Sequence, residues 1–264
     1  MSAPALVILS RGSKDPRVAQ VAHGLRQGLQ ALRPGMPIRG AFLESNPPSA
    51  PQIVNSLVEQ GEHEIVFVPL DLNNAVDTHP DVDSLVRRAQ ATFPKVRFIA
   101  SRPIGPEGCL LTVLDSRMRA ALSTARCLEL DGLVLSSETF GDVRGSALFA
   151  RRARQWSAHH HLPCQAAVSD ESGPSVAQAI VNLRSQGRRH IAVGSYFLSA
   201  DQSYQTQSEL AYHYGAVSVS EPIGPAREVL DLILARYAFA AMELIEFDFG
   251  DSVDEEPELV AATA

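Results

Sequence analysis

The sequence has little cysteine and no long apolar run. Its 264 residues include three cysteines, Cys109, Cys127 and Cys164, without CxxC spacing. Scattered cysteines predict neither a disulfide framework nor a zinc knuckle, and they favour a reducing cytoplasm. No apolar run reaches the roughly 18 residues of a membrane span, and the N-terminus lacks the basic region and cleavage site of a signal peptide. We therefore expect a cytoplasmic protein with no membrane partner.

Basic residues are too few for a general nucleic-acid binder. The formal net charge is −7, whereas such a binder needs a basic surface. Part of the negative charge is local, because residues 247–264 are acidic and contain no Lys or Arg. We expect this segment to be a solvated, disordered tail, with an interaction tail as the alternative.

Several catalytic and nucleotide-binding motifs are missing as well. No GxxxxGK[ST] occurs, and no GxGxxG follows a predicted strand, so nucleotide binding has no support. Ser136-Ser137 does not lie in a GxSxG elbow, which removes the usual mark of an α/β hydrolase.

Strand and helix patterns alternate through the first half. Leu6–Ser10 predicts a buried strand, and Asp15-Pro16 offers an N-cap and a first-turn proline to the helix that follows. Three more strands, each followed by apolar residues at helical spacing, are predicted at "IRGAFL", "EIVFVPL" and "KVRFIA". This order predicts an α/β fold with a parallel sheet flanked by helices.

The second half repeats the first. "PSAPQIVNSLVEQG" at 48–61 matches "PSVAQAIVNLRSQG" at 174–187, and "RPIGP" at 102–106 recurs as "EPIGP" at 221–225. Because these blocks keep their order and nearly their spacing, they predict a duplicated unit. We therefore expect two similar lobes, residues 1–126 and 127–246, with a cleft between them.

Ligands of open parallel sheets bind beyond the carboxyl ends of the strands. In the first lobe Arg11, Glu44 and the loop 71–79 follow three strands. An offset of 126 residues gives their second-lobe equivalents, which are Ser137, Asp170 and Ser203. On this alignment the second lobe offers one carboxylate and otherwise hydroxyl groups, which predicts one active lobe and one substrate wall.

At these residues the chain resembles the sirohydrochlorin chelatases, the CbiX-type class II chelatases, in their two-lobe long form. The resemblance rests on four segments, "RGSKDPR", "AFLESNPPS", "FVPLDLNNAVDTHPDV" and "FPKVRFIASRPIGP". It implies insertion of a divalent metal into a tetrapyrrole without a separate cofactor. We favour Fe²⁺ and sirohydrochlorin, with Co²⁺ in the cobalamin route as an alternative. The tetrapyrrole would be the partner, and the chain a monomer or homodimer.

The resemblance also implies site residues. The family's two histidines fall at Arg11 and Asp77 in this sequence, while its glutamate is retained as Glu44. Together with His79, two residues beyond Asp77, these acids would bind the metal and accept protons, since carboxylate and imidazole suit both tasks. For Asp77 and His79 the alternative role is to form a turn or cap a helix.

Substrate contacts are expected on both lobes. Arg11 has three possible roles: an ion pair with Asp77 in an inactive site, a clamp on substrate carboxylates, or a surface residue of the turn. The backbone N–H groups of Gly12 and Ser13 would assist in carboxylate binding. Asn73, Asn74 and Asp170 are the other expected substrate contacts.

Other features receive simpler interpretations. Three adjacent histidines, His159, His160 and His161, precede Pro163, and we expect them to lie in a solvated loop rather than a metal site. Replacement of the family's histidines also leaves open a non-catalytic function, namely a tetrapyrrole or metal carrier or a regulatory pseudoenzyme.

Overall fold

A computed structural model describes residues 3–250 of the chain, with side chains described as far as residue 244. The first lobe contains β1 (Ala5–Ser10), α1 (Pro16–Leu32), β2 (Ile38–Phe42), α2 (Ala50–Glu59), β3 (Glu64–Pro69), α3 (Pro80–Thr92), β4 (Arg97–Ala100) and α4 (Leu110–Thr124). The second lobe contains β5 (Gly132–Ser137), α5 (Val143–His160), β6 (Cys164–Val168), α6 (Val176–Ser185), β7 (Ile191–Ser195), α7 (Gln202–His213), β8 (Ser218–Val219) and α8 (Arg227–Gly250).

Each lobe is built on a four-stranded parallel sheet, in the order β2-β1-β3-β4 or β6-β5-β7-β8. These two sheets confirm the predicted α/β fold with two lobes. Both faces of β1 are buried, as expected for a parallel sheet covered by helices on both sides. None of the described helices is long and apolar enough to cross a bilayer.

Local signals explain where the helices begin. Asp15 caps α1 by accepting a hydrogen bond from the backbone N–H of Arg17, and Pro16 occupies its first turn. Ser49 and Ser175 form equivalent capping boxes at the starts of α2 and α6. The duplication is therefore visible in cap chemistry as well as in strand order.

The last helix of each lobe packs on the other lobe. Helix α4 contacts β7 and β8 of the second sheet, whereas α8 contacts β3, β4 and α1 of the first lobe. Tyr237 of α8 donates a hydrogen bond of 2.7 Å to the Pro4 carbonyl near the start of β1. This exchange places a single apolar core between the two sheets, containing side chains from both lobes. Residues 247–250 continue α8, and the rest of the predicted acidic tail lies outside the described residues.

The expected histidine loop is wrong for two of its three members. His159 and His160 form the last turn of α5, and His161 follows as its left-handed cap residue, with φ of 54°. Both imidazoles lie near Asp115 of α4, while the His159 side chain is still 63% exposed.

Candidate active site between the lobes

The carboxyl ends of the two sheets line one cavity of about 700 Å³. Such a volume lies within the range of roughly 300–1,000 Å³ typical of small-molecule sites. Its first-lobe wall includes Arg11, Gly12, Ser13, Asp71, Asn73, Asn74 and His79. Its second-lobe wall includes Glu138, Thr139, Ser169, Asp170, Tyr196 and Asp201. The cleft predicted from the duplication is therefore present.

The turn after β1 packs closely against the loop after β2. Gly12 has φ of +92°, and a Cβ atom there would overlap the carbonyl oxygen of Glu44. The Glu44 N–H donates to the Arg11 carbonyl at 3.0 Å, and the Ser13 N–H donates to Asn46 Oδ1 at 2.7 Å. Glycine is required here by both space and conformation. The Ser13 N–H already has a protein acceptor, which weakens its expected role as a carboxylate donor.

Arg11 forms an ion pair with Glu44 and not with Asp77. Its Nε lies 3.3 Å from Glu44 Oε1, and the two side chains are 69% and 49% exposed. Exposed pairs of this kind contribute about 0–1 kcal/mol. Another carboxylate can therefore replace Glu44 as the partner of Arg11 at little cost.

The loop 71–79 is fastened to the second lobe by one carboxylate. Asp142, the N-cap of α5, accepts hydrogen bonds at Oδ2 from the backbone N–H groups of Ala75, Val76 and Asp77, at 2.9–3.0 Å. Its other oxygen accepts the N–H of Gly145. Desolvation raises the pKa of Asp142, but these backbone donors outweigh it and lower the pKa to about 2.

Both asparagines of this loop also bridge the lobes. Ser137 Oγ donates to Asn73 Oδ1 at 2.5 Å, and the Asp142 N–H donates to Asn74 Oδ1 at 2.7 Å. Asp71 accepts the backbone N–H groups of both asparagines. Asn73 and Asn74 line the cavity, as expected for substrate contacts, and they also hold its walls together.

His79 caps α3 and also lines the cavity. Its Nδ1 accepts the Asp81 N–H at a long 3.3 Å, and its side chain is 37% exposed. The helix-capping alternative is therefore present in the structure. Because the capping bond is long and weak, the imidazole can turn toward a ligand without a large loss of stability.

The second-lobe wall is more acidic than the 126-residue offset predicted. Leu6 of β1 pairs with Ile38 of β2, and Leu133 of β5 pairs with Cys164 of β6 in the same way. Residues of β5 therefore lie 127 positions after their equivalents in β1, whereas residues of β6 lie 126 positions after those in β2. The equivalent of Arg11 is therefore Glu138 rather than Ser137. The segment from β5 to β6 is one residue shorter than the segment from β1 to β2, and the strand registers show this difference. A single offset of 126 therefore hid the carboxylate.

Glu138 differs from the other carboxylates of the cavity. Asp71 and Asp170 accept hydrogen bonds from their own turns, and Asp201 caps α7. Among the described cavity residues, Glu138 is the carboxylate whose side chain has no hydrogen-bond partner. Desolvation by the cavity walls, followed by repulsion from Asp201, raises its pKa, with Arg11 acting in the opposite direction. Glu138 is exposed to the open cavity, and a raised pKa makes a carboxylate a better proton acceptor than an ordinary one.

The predicted metal ligands are not assembled in advance. His79 lines the cavity, whereas Glu44 and Asp77 do not. In the described part of the chain, three ligand atoms lie within 4.8 Å of one another only at Asp115, His159 and His160. Glu44 is turned toward Arg11, and Asp142 fixes the backbone of Asp77. Their metal roles remain predictions.

Comparison with known proteins agrees with this architecture. The family model for CbiX matches residues 5–121. A sirohydrochlorin cobaltochelatase of Priestia megaterium is 20% identical over 179 residues, which cover 67% of this chain and 58% of that protein. A chloroplastic sirohydrochlorin ferrochelatase of Arabidopsis thaliana is 31% identical over 90 residues, which cover 34% of this chain and 40% of that one. The chain thus spans about half the length of these relatives.

Solved structures share the two-lobe fold. SirB from Bacillus subtilis with Fe³⁺ superposes with a TM-score of 0.76 at 20% identity, covering 93% of this chain and 98% of SirB. A CbiX structure, described as the terminal enzyme of siroheme biosynthesis in denitrifying bacteria, gives 0.61 at 20% identity, covering 90% and 99%. The family model thus covers most of the first lobe, and the fold of these solved structures extends over both lobes.

Proposed function

We propose that the protein is a metallochelatase that inserts Fe²⁺ into sirohydrochlorin, giving siroheme. The observation that carries this proposal is the cavity between the lobes, where an imidazole, an unpartnered carboxylate and a weakly paired arginine face one space. The CbiX family match over the first lobe and the two sirohydrochlorin chelatases among the relatives support it. Co²⁺ is the alternative metal, because one relative is named a cobaltochelatase. A cytoplasmic monomer or homodimer completes the proposal.

The reaction needs a metal and an acidic macrocycle to meet in the cavity. Insertion strips water from the cation and removes two pyrrole protons. The acidic second-lobe wall attracts the cation. Arg11 exchanges Glu44 for a carboxylate arm of the macrocycle, because its planar guanidinium binds carboxylates in a bidentate manner. That exchange frees Glu44 to approach the metal.

Glu138 and His79 are the groups best placed to take the protons. The raised pKa of Glu138 makes it a stronger base than an ordinary carboxylate. His79 adds an imidazole from the opposite wall. Asp77 contributes only if the loop 71–79 moves. We therefore assign proton acceptance to Glu138 first, with Glu44 and His79 as metal ligands.

A non-catalytic tetrapyrrole carrier is the second candidate. It is favoured by Arg11 and Asp77, which stand where the family carries histidine. Arginine has no lone pair for a metal. In that case the cavity would bind the macrocycle and leave the metal untouched.

One assay separates the two candidates. Purified protein is incubated anaerobically with sirohydrochlorin and Fe²⁺, Co²⁺ or Ni²⁺, and insertion is followed by absorbance against the protein-free rate. An enzyme exceeds that rate with at least one metal, and Glu138→Gln lowers the excess at least tenfold. Glu129→Gln is the matched control, because Glu129 is a 78% exposed carboxylate outside the cavity. Tight binding of sirohydrochlorin without any acceleration would establish the carrier instead.

A further inference from the structure

We propose a second metal site, formed by Asp115, His159 and His160 and suited to Zn²⁺ or Co²⁺. None of these residues lines the cavity between the lobes. The site therefore does not depend on the proposed chelatase activity.

Two helices bring the three side chains together. Asp115 lies on α4, the first-lobe helix that packs on the second sheet, and both histidines end α5. Nε2 of His160 lies 2.8 Å from Asp115 Oδ1, and Nε2 of His159 lies 3.6 Å from Asp115 Oδ2. All three ligand atoms lie within 4.8 Å of one another.

These distances are close to what a bound ion requires. Zinc binds imidazole nitrogen and carboxylate oxygen at about 2.0–2.1 Å, which places tetrahedral ligand atoms about 3.3 Å apart. The two measured separations, 2.8 and 3.6 Å, lie on either side of that value. These two separations run to different oxygens of Asp115, and all three ligand atoms lie within 4.8 Å of one another. Binding of the ion would therefore require the imidazoles to rotate toward one oxygen.

The donor set and its surroundings also suit a metal. Two imidazoles, which are borderline ligands, and one carboxylate, which is a hard ligand, form a donor set found in sites for Zn²⁺ and Co²⁺. Trp156 Nε1 donates to Asp115 Oδ1, an outer contact of the kind that orients a ligating carboxylate. Asp115 is 13% exposed and His159 is 63% exposed. The ion would thus rest on an anchored carboxylate with its open side toward water.

The competing explanation is a hydrogen-bonded cluster that only joins α4 to α5. Both explanations use the same contacts, but only the metal site predicts saturable binding that depends on both imidazoles. Trp156 provides the signal, since it is the single tryptophan of the chain and its ring centroid lies 5.7 Å from that of His160. A paramagnetic ion bound here would quench its fluorescence.

The experiment titrates the full-length, metal-free protein with Co²⁺ while tryptophan fluorescence is recorded. We expect saturable quenching that excess Zn²⁺ reverses, and a weakening of at least about tenfold in both His159→Ala and His160→Ala, because outer contacts alone are worth 10–100-fold. His161→Asn is the control, since asparagine tolerates the left-handed backbone at this position. It should bind Co²⁺ like the parent protein.

A second measurement protects the test against altered tryptophan emission in the variants. Zn²⁺ should raise the thermal midpoint of the parent protein and of His161→Asn, but not that of His159→Ala, because a ligand that binds the folded state stabilises it. The proposal is overturned if Co²⁺ does not quench Trp156, or if quenching and thermal shift survive in His159→Ala. The insertion assay is independent of this result.

Discussion

The replacement Asp142→Asn tests how the lobes are held together. Asparagine retains one oxygen, which can still accept the Gly145 N–H and cap α5. In that orientation its NH₂ group faces the backbone N–H groups of Ala75, Val76 and Asp77. An NH₂ group is also a donor, so it cannot accept their hydrogen bonds. The replacement therefore removes the side-chain contacts of residue 142 with the first lobe, while it keeps the helix cap and the backbone bond to Asn74.

The magnitude follows from the pKa of the carboxyl. The difference between the ordinary value of 3.8 and the folded value of about 2 corresponds to about 2 kcal/mol of folding free energy at pH 7. Because folding lowers this pKa, the stabilisation is complete above the unfolded value and is lost as pH falls from 3.8 toward 2. The Gly145 bond supplies part of this amount and is kept in the variant. The variant should therefore be about 1–2 kcal/mol less stable at pH 7, with a difference that shrinks in acid.

Urea unfolding at pH 7 and at steps down to pH 3 measures this difference. Asp201→Asn is the matched control, because Asp201 also caps a helix, and the side-chain hydrogen bonds that it accepts come from Ser199 and Tyr204 of its own lobe. Its loss of stability should stay below about 1 kcal/mol, since asparagine is an equally good cap. A loss under 0.5 kcal/mol in Asp142→Asn, or one independent of pH, would refute the reasoning.

Three further predictions concern the cavity and the lobes. Glu138→Gln should reduce metal insertion at least tenfold. In the parent protein the insertion rate should rise with pH through a pKa above the ordinary 4.5, and a pH–rate profile measures this. The same profile in the variant would exclude Glu138 as the base. Gly12→Ala should destabilise the chain by about 2 kcal/mol or more, because its Cβ overlaps the Glu44 carbonyl oxygen; a denaturation midpoint equal to that of the parent would contradict this. A fragment of residues 1–126 should fail to form a folded monomer by light scattering and circular dichroism, because it lacks α8; a stable monomer would disprove the dependence on the exchanged helix.

The expectation for the fragment rests on the apolar face of α8. Val229 and Ile233 are fully buried and Leu230 and Leu244 nearly so, and burial of each such side chain contributes about 1.5–3 kcal/mol. Their sum approaches the whole stability of a typical domain, about 5–15 kcal/mol.

Much of the fold could be predicted from local pattern. The strand after the N-terminus, the Asp15-Pro16 helix start and the 48–61 repeat all depend on residues close together in sequence. They were read correctly because periodicity and caps act over one or two turns. The position of the cleft followed from the duplication and from the rule that ligands bind beyond the carboxyl ends of parallel strands.

The site was predicted less completely. Seven of the expected residues line the cavity, but Glu44 and Asp77 do not. Glu138 was missed because β5 starts one residue later than the repeat suggested. Asp142 was missed because its partners lie more than sixty residues away in the first lobe, and no spacing rule connects them.

The sequence by itself determined the strands and helices, the duplication and the edge of each sheet that carries polar side chains, since these depend on neighbours along the chain. Only the tertiary structure decided that α4 and α8 each pack on the sheet of the other lobe and that Glu138 lines the same cavity as Arg11. It also decided that Asp115 lies beside His159 and His160. Each of these contacts joins segments from different parts of the chain, so packing selected them and local preference could not.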